Sequence, residues 1–389
     1  QELRDALGAL GDGSIQRLRV ALTAGKEVPW NGCVRILEHF FTGGHVELSP
    51  LDVVNGGRAI PMVWFYEETL RPADLLRALQ QTLVVYPVFC GRYASSPVSV
   101  ELNNAGVPVQ VRTSDQPFKE AIAHLPAATS HEAQPTFFAR DTHEAYVPDK
   151  HGMDPDPFST ETPLLSVRIT NFVNGGTAIG LLMQHRVGDA DTMISFAQNW
   201  AKAHCKLSLE PVPNHDRCVV TRLAAAGATS AGVERPEGFG VKAVLPGEQY
   251  IPAFAGMLPK ISGNQVCIVP ITKHHADKLK ETAGAELPQG EYISADDIVT
   301  ALVWQALVIM RCSQLGLASG SHDITTCSRA CNIRQRAQPP LGASFCGNGV
   351  TNVQTKIEVR ELLALSVSEI ARRLRAALRD LIALGSIPR

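Results

Sequence analysis

No stretch of the 389 residues stays apolar for the roughly 18–20 positions that a membrane-spanning helix needs. The nearest, IVTALVWQALVIM at 298–310, is too short, contains Gln305 and reads as a buried helix. An excess of either charge is also missing: the net charge is −2, which points to neither nucleic acid nor an anionic membrane as partner. There is no GxSxG elbow to supply a serine nucleophile, and no short internal repeat. No charged-then-apolar leader opens the chain at Gln1, which reads as a boundary left by processing or cloning. Regular disulfide spacing is absent. The nine cysteines are an odd set scattered from Cys33 to Cys346, which fits a reducing compartment, the cytoplasm or an organelle stroma. Cys327 and Cys331 lie four apart in TTCSRACNI, which reads as a strand, so no zinc clamp is expected there.

What is present is a folded chain. Apolar residues make up 45% and charged residues 19%, too apolar for disorder, and the length exceeds one ordinary hydrophobic core, so two domains are expected. Residues 1–32 read as a polar, partly helical extension. CVRILEHF (33–40) and MVWFYE (62–67) read as strands. Pro72 opens a helix with Leu75, Leu76, Leu79 and Leu83 on one face, and Pro87 closes it. VFCGRYA, VSVEL and VPVQV follow as short strands.

Residues 126–163, rich in Pro, His and Asp, read as a loop or lid. A solvated loop is the plainer account of His143, His151, Asp154 and Asp156 there, with a metal site as the alternative. LLSVRITNF (164–172) and TAIGLLMQ (177–184) form a hairpin across Gly175–Gly176, and a helix follows through Met193, Phe196 and Trp200. Residues 206–262, rich in Pro and Gly, read as a crossover between domains. Beyond it come a strand at QVCIVPI, a helix from about Thr272, and a long helix capped by Ser294 with Asp297. Strands DITTCSRACNIR and GVTNVQTKI precede a last helix, about 367–384, capped by Ser366 with Glu369 and ended by Gly385. Its basic run ARRLRAALR (371–379) reads as the solvated face of an amphipathic helix.

Among twelve histidines only His185 has an aspartate, Asp189, four residues on. A neutral imidazole at the end of a strand suits removal of a proton from an alcohol or amine near neutral pH. A hydrogen-bonded core histidine gives the same pattern, and a short motif matches by accident. The spacing leaves both open.

Five segments in fixed order carry more. They are LSPLD (48–52), LLRALQQTLVVYPVFCGRY (75–93), HRVGDADTMISFAQNWA (185–201), SADDIVTALVWQAL (294–307) and CNIRQRAQPPLGASFCGNGV (331–350). Together they resemble the BAHD family of acyl-CoA-dependent acyltransferases, with its HxxxDG motif and distal FGN-type segment, and look most like its plant hydroxycinnamoyl transferases. The resemblance implies an α/β (α+β) fold of two similar chloramphenicol-acetyltransferase-like domains, with mixed sheets and an interdomain channel. It places an N-terminal domain at 33–205 and a C-terminal one at 263–389, joined by the crossover 206–262.

It makes His185 the general base and Asp189 a structural aspartate paired with an arginine, for which Arg334 in NIRQR stands in the expected place. It implies acyl-CoA as cosubstrate, a small-molecule alcohol or amine as acceptor, and no metal or permanently bound cofactor. Three features depart from the family pattern. Ala190 replaces the glycine after the motif aspartate, a cost if that position needs positive φ. Cys346 splits Phe345 from Gly347, and no DFGWG segment occurs, Phe239–Gly240 coming too early. Two alternatives stand beside an acyltransferase. One is an idle member serving as a binding or assembly subunit in a protein complex. The other is a condensation-type domain, which usually carries a second histidine where this chain has Gln184.

Overall fold

The structure, a computed structural model, describes residues 30–54, 59–95, 99–123, 125, 136–139, 145–148, 159–222, 265–269, 271–315 and 321–383. The residues at 143, 151, 154 and 156, Phe239–Gly240, Gly385 and most of the expected extension lie outside the described residues.

In chain order the first half holds strands β1 (Trp30–Val34) and β2 (His45–Glu47), helix α1 (Pro50–Val54), strand β3 (Ala59–Tyr66) and helix α2 (Pro72–Val85). Strands β4 (Arg92–Tyr93), β5 (Ser99–Glu101) and β6 (Val107–Ser114), helix α3 (Phe118–Ala121) and strand β7 (Thr136–Ala139) follow. Strands β8 (Leu165–Phe172) and β9 (Thr177–Gln184) and helix α4 (Ala190–His204) complete it. The second half runs from β10 (Gln265–Ile268) through helices α5 (Lys273–Gly284) and α6 (Ala295–Leu315) to strands β11 (Ile324–Asn332) and β12 (Val350–Glu358). Helices α7 (Val359–Ala364) and α8 (Val367–Ala383) end it.

A mixed five-stranded sheet, ordered β1-β6-β8-β9-β3, is the frame. β6 and β8 run parallel and the other neighbours antiparallel. Every residue of β9 is buried, which explains its nearly unbroken apolar run. Helices α2 and α4 pack together in the main core: Leu75, Leu76, Leu79 and Leu83 meet Met193, Phe196 and Trp200 there. The Trp200 indole donates to the Leu75 carbonyl (2.9 Å), and Asn199 donates to the Tyr86 hydroxyl (3.0 Å), so the two helices are also pinned by polar contacts.

The second half is built on the antiparallel pair β11–β12 and the helices α5 to α8 around a separate apolar cluster that includes Ile298, Trp304, Ile357, Ile370 and Leu374. Helix α8 presents Ile370, Ala371 and Leu374 to that cluster, while in its basic run Arg372 pairs with Glu291 at 2.6 Å and Arg373 with Glu361 at 2.7 Å. A third cluster, with Leu51, Val220, Ile333, Phe345 and Val353, joins segments from both halves.

Some expected elements move. β1 covers Trp30–Val34 and a tight turn at Glu38–Phe40 replaces the rest of the 33–40 strand. The cause is the partner: Val34 pairs with Val107, the first residue of β6, and beyond it there is no strand to extend against. VFCGRYA opens as a turn at Pro87–Cys90 before the two residues of β4. The expected lid contains β7, which pairs antiparallel with β10 from the second half. The crossover is packed at its start, where Asn214 bridges Phe345 and Val220 is fully buried.

The capping box at the start of α6 is reciprocal. Ser294 N–H donates to Asp297 Oδ2 (2.8 Å) and Asp297 N–H to Ser294 Oγ (3.2 Å), while Arg329 and Arg375 pair with the same carboxylate. Burial pushes the Asp297 carboxyl up, but the Ser294 hydrogen bonds and the two guanidiniums hold it below the usual carboxylate range. A depressed folded value means stability that is complete above the unfolded value, about 3.9, and lost as pH falls through the folded one. Asp297→Asn is therefore expected to flatten the acid side of the stability profile below about pH 4. An unchanged acid limb in denaturant titrations would remove this assignment.

Candidate functional site

His185 follows directly on β9, in a tight turn of residues 185–187 that leads through Gly188 and Asp189 into α4. The buried strand and the buried face of α4 fix both sides of that turn. His185 itself is partly exposed, whereas Gln184, Arg186, Val187 and Asp189 are buried.

Asp189 caps α4, its Oδ1 accepting from Thr192 N–H at 3.0 Å. Arg334 reaches it from beyond the end of β11 with two parallel bonds, Nη1 to Oδ2 and Nη2 to Oδ1, each 2.8 Å. Oδ2 also accepts from Gly349 N–H at 2.9 Å. Four donors thus saturate the carboxylate, which faces structure and has no free edge for proton transfer. Arg334 is equally occupied: Nε donates to the Phe345 carbonyl (3.2 Å) and Nη2 to that of Gly347 (2.9 Å). Thr192 Oγ closes the ring, donating to the Gly347 carbonyl (2.9 Å) and accepting from Gly347 N–H (3.1 Å). The structure therefore joins Asp189 and Arg334, the two residues that the sequence pattern pairs.

Gly349 allows this closeness, since a Cβ there would lie 2.7 Å from Arg334 Nη1 and 2.9 Å from its Cζ. Gly349→Ala is expected to cost about 1–3 kcal/mol by forcing the guanidinium off Asp189. A denaturation midpoint equal to that of the parent would contradict it.

Three partners carry no role in the sequence reading. Asn348 Oδ1 lies 3.1 Å from His185 Nδ1, and its Nδ2 donates to the His185 carbonyl at 2.7 Å. Asp52, third residue of α1, accepts from Asn348 N–H (2.9 Å) and Nδ2 (2.8 Å). Arg217 pairs with Asp52 Oδ2 at 2.9 Å, with side chains 1% and 0% exposed, and donates to the Val187 carbonyl at 2.6 Å. LSPLD and CGNGV mark two of the three in sequence. Arg217 has no such signal, sitting in the Pro- and Gly-rich crossover.

Two departures from the motif settle into the fold. Ala190 is the first residue of α4 and does not have positive φ, so the expected strain does not arise, and alanine suits a helical position. Cys346 is sealed in the core, where burial pushes its thiol up to about 12, so it is an inert packing residue. Among the described residues there is no cluster of His, Cys, Asp and Glu that could hold a metal, and no helix long and apolar enough to cross a membrane.

A family model described as "Transferase family" matches residues 39–383. Tryptamine benzoyltransferase 1 of Oryza sativa subsp. japonica is 25% identical over 349 residues, 87% of this chain and 70% of that protein. Stemmadenine O-acetyltransferase of Catharanthus roseus is 25% identical, over 78% of this chain and 64% of its own length. Among solved structures, vinorine synthase aligns with a TM-score of 0.62 at 19% identity, covering 90% of this chain and 75% of that one. F. sporotrichioides TRI101, solved with coenzyme A and T-2, gives a TM-score of 0.56 at 15% identity, over 87% and 75% of the two chains. The mixed α/β fold is that of these acyltransferase structures. With the model covering nearly the whole described chain, the protein belongs to this transferase family, the BAHD acyltransferases.

Proposed function

We propose that this protein transfers an acyl group from an acyl-CoA thioester to the hydroxyl or amine of a small molecule, with His185 as general base. The observation that carries the reading is the held imidazole: Nδ1 is taken by Asn348, and among the described residues Nε2 has no hydrogen-bond partner. A ring anchored at one nitrogen on a rigid turn presents the other to a substrate in fixed geometry. In the reaction Nε2 takes the acceptor's proton as its oxygen or nitrogen attacks the thioester carbonyl. The tetrahedral intermediate breaks its carbon–sulfur bond, and the imidazolium returns the proton to the departing CoA thiolate. Asp189 and Arg334 do no proton chemistry in this scheme; they hold the turn.

Relatives' names support the reaction class, since they are benzoyl-, hydroxycinnamoyl- and acetyltransferases, and TRI101 is solved with coenzyme A. On this reading thioester and acceptor reach His185 through a channel between the halves. We also place the protein in a reducing compartment, cytoplasm or stroma, on the free state of the described cysteines.

The test is thiol release from benzoyl-, hydroxycinnamoyl- and acetyl-CoA, each with a panel of amines and alcohols. Acceptor-dependent release from at least one pair is expected. No release from any pair overturns the reading for this polypeptide.

A further inference from the structure

We infer that Asp52 is a positioning residue that sets which nitrogen of His185 carries the proton, acting through the Asn348 amide and held in place by Arg217. The inference rests on the acyl-transfer reading only for its catalytic consequence, because the tautomer is a property of the resting protein.

An amide has one accepting and one donating end, and its direction follows from its neighbours. The NH2 end of Asn348 lies between Asp52 Oδ1 (2.8 Å) and the His185 carbonyl (2.7 Å), two groups that only accept. Turning the amide over would set oxygen against both. Oδ1 must therefore face the ring, and a ring nitrogen 3.1 Å from an accepting oxygen must carry the hydrogen. Nδ1 is then N–H, and the lone pair sits on Nε2. A core histidine needs no such arrangement; a base with one productive nitrogen does.

Asp52 cannot turn away. Oδ2 accepts from Ser49 N–H (2.8 Å), Ser49 Oγ (2.7 Å) and Arg217 (2.9 Å), which leaves Oδ1 for Asn348. Arg217 also donates to the carbonyls of Val187 (2.6 Å) and Arg186 (3.4 Å), tying the pair to the turn that bears the histidine. The chain thus applies one buried ion pair, Asp189–Arg334, to the backbone after His185 and a second, Asp52–Arg217, to its proton.

Asp52→Asn exchanges an acceptor for a donor at Oδ1. Ser49 and Arg217 keep the remaining oxygen on their side, so the new NH2 faces Asn348. Reversing the Asn348 amide relieves the contact between the two NH2 groups at the cost of setting Oδ1 against the His185 carbonyl; in the reversed population its NH2 meets Nδ1 and the hydrogen moves to Nε2. The experiment is long-range 1H–15N correlation on the full chain labelled at histidine, above the pH where the ring titrates, with His185→Gln to assign the signal. The parent is expected to show an unprotonated Nε2, and Asp52→Asn a shift of population to an unprotonated Nδ1. A parent ring unprotonated at Nδ1, or a variant with the parent's tautomer, overturns the inference. Should Asp52→Asn fail to fold, Asn348→Ala serves in its place: mixed tautomers are expected, and an unchanged one overturns the inference.

Kinetics separates this from the reading on which it builds. In Asp52→Asn, kcat is expected to fall by at least about tenfold with the thioester KM within about twofold, since the loss falls on the proton transfer rather than on binding. Unchanged kcat with an altered tautomer would sink the base role of His185 while leaving the assignment of Asp52 intact.

Discussion

Asp189→Ala is expected to lower the unfolding free energy by about 3 kcal/mol, because it leaves the buried Arg334 guanidinium without its fork partner and with only the half-exposed Asp191 carboxylate, 3.1 Å from Nε, beside it. The loss is at the upper end of single substitutions for a structural reason. Arg334 joins two segments through four groups: the Asp189 carboxylate and Thr192 hydroxyl at the start of α4, and the carbonyls of Phe345 and Gly347. Arg334→Met is expected to cost a similar amount from the opposite side, by stranding the carboxylate. The double variant should cost less than the sum, since neither charge is then left alone. Urea midpoints on the three proteins decide it. A loss below about 1 kcal/mol for Asp189→Ala would mean that solvent reaches the pair, and its positioning role would go with it.

His185→Ala is expected to reduce kcat for acyl transfer by about 10²–10⁴-fold, the usual worth of a positioned general base. That range corresponds to about 3–5 kcal/mol of barrier. Stability should move much less, because the ring is partly exposed and the turn is held by the two ion pairs rather than by the imidazole. The pattern opposes that of Asp189→Ala, where stability falls and activity follows it. If His185→Ala instead lowers the melting temperature strongly while turnover per folded molecule persists, His185 is a packing residue. The bland alternative left open by the motif would then be right.

Local rules made much of this legible. The β8–β9 hairpin follows from two apolar runs about a Gly–Gly turn, and the Ser294 and Ser366 caps from a hydroxyl placed three residues ahead of an acid. The pairing of Asp189 with Arg334 came from the family pattern, since nothing in either local sequence points to the other. Arg217 was invisible for a physical reason: a buried arginine is distinguished by its partner, and Asp52 is remote in sequence. The strand expected at 33–40 failed likewise, because alternation describes which faces a strand could offer and cannot supply the neighbour that Val34 runs out of.

The same remoteness has a consequence during synthesis. Asn348 is 163 residues from His185 and 296 from Asp52. At about 5–20 residues per second, His185 is translated on the order of 8–30 s before the residue that orients it. Through that interval the sheet that carries the histidine can pair within itself, yet no nascent chain holds an oriented base. On the acyl-transfer reading no thioester meets a working centre on the ribosome, and a ribosome stalled between residues 185 and 348 releases a product with a histidine and no assigned proton.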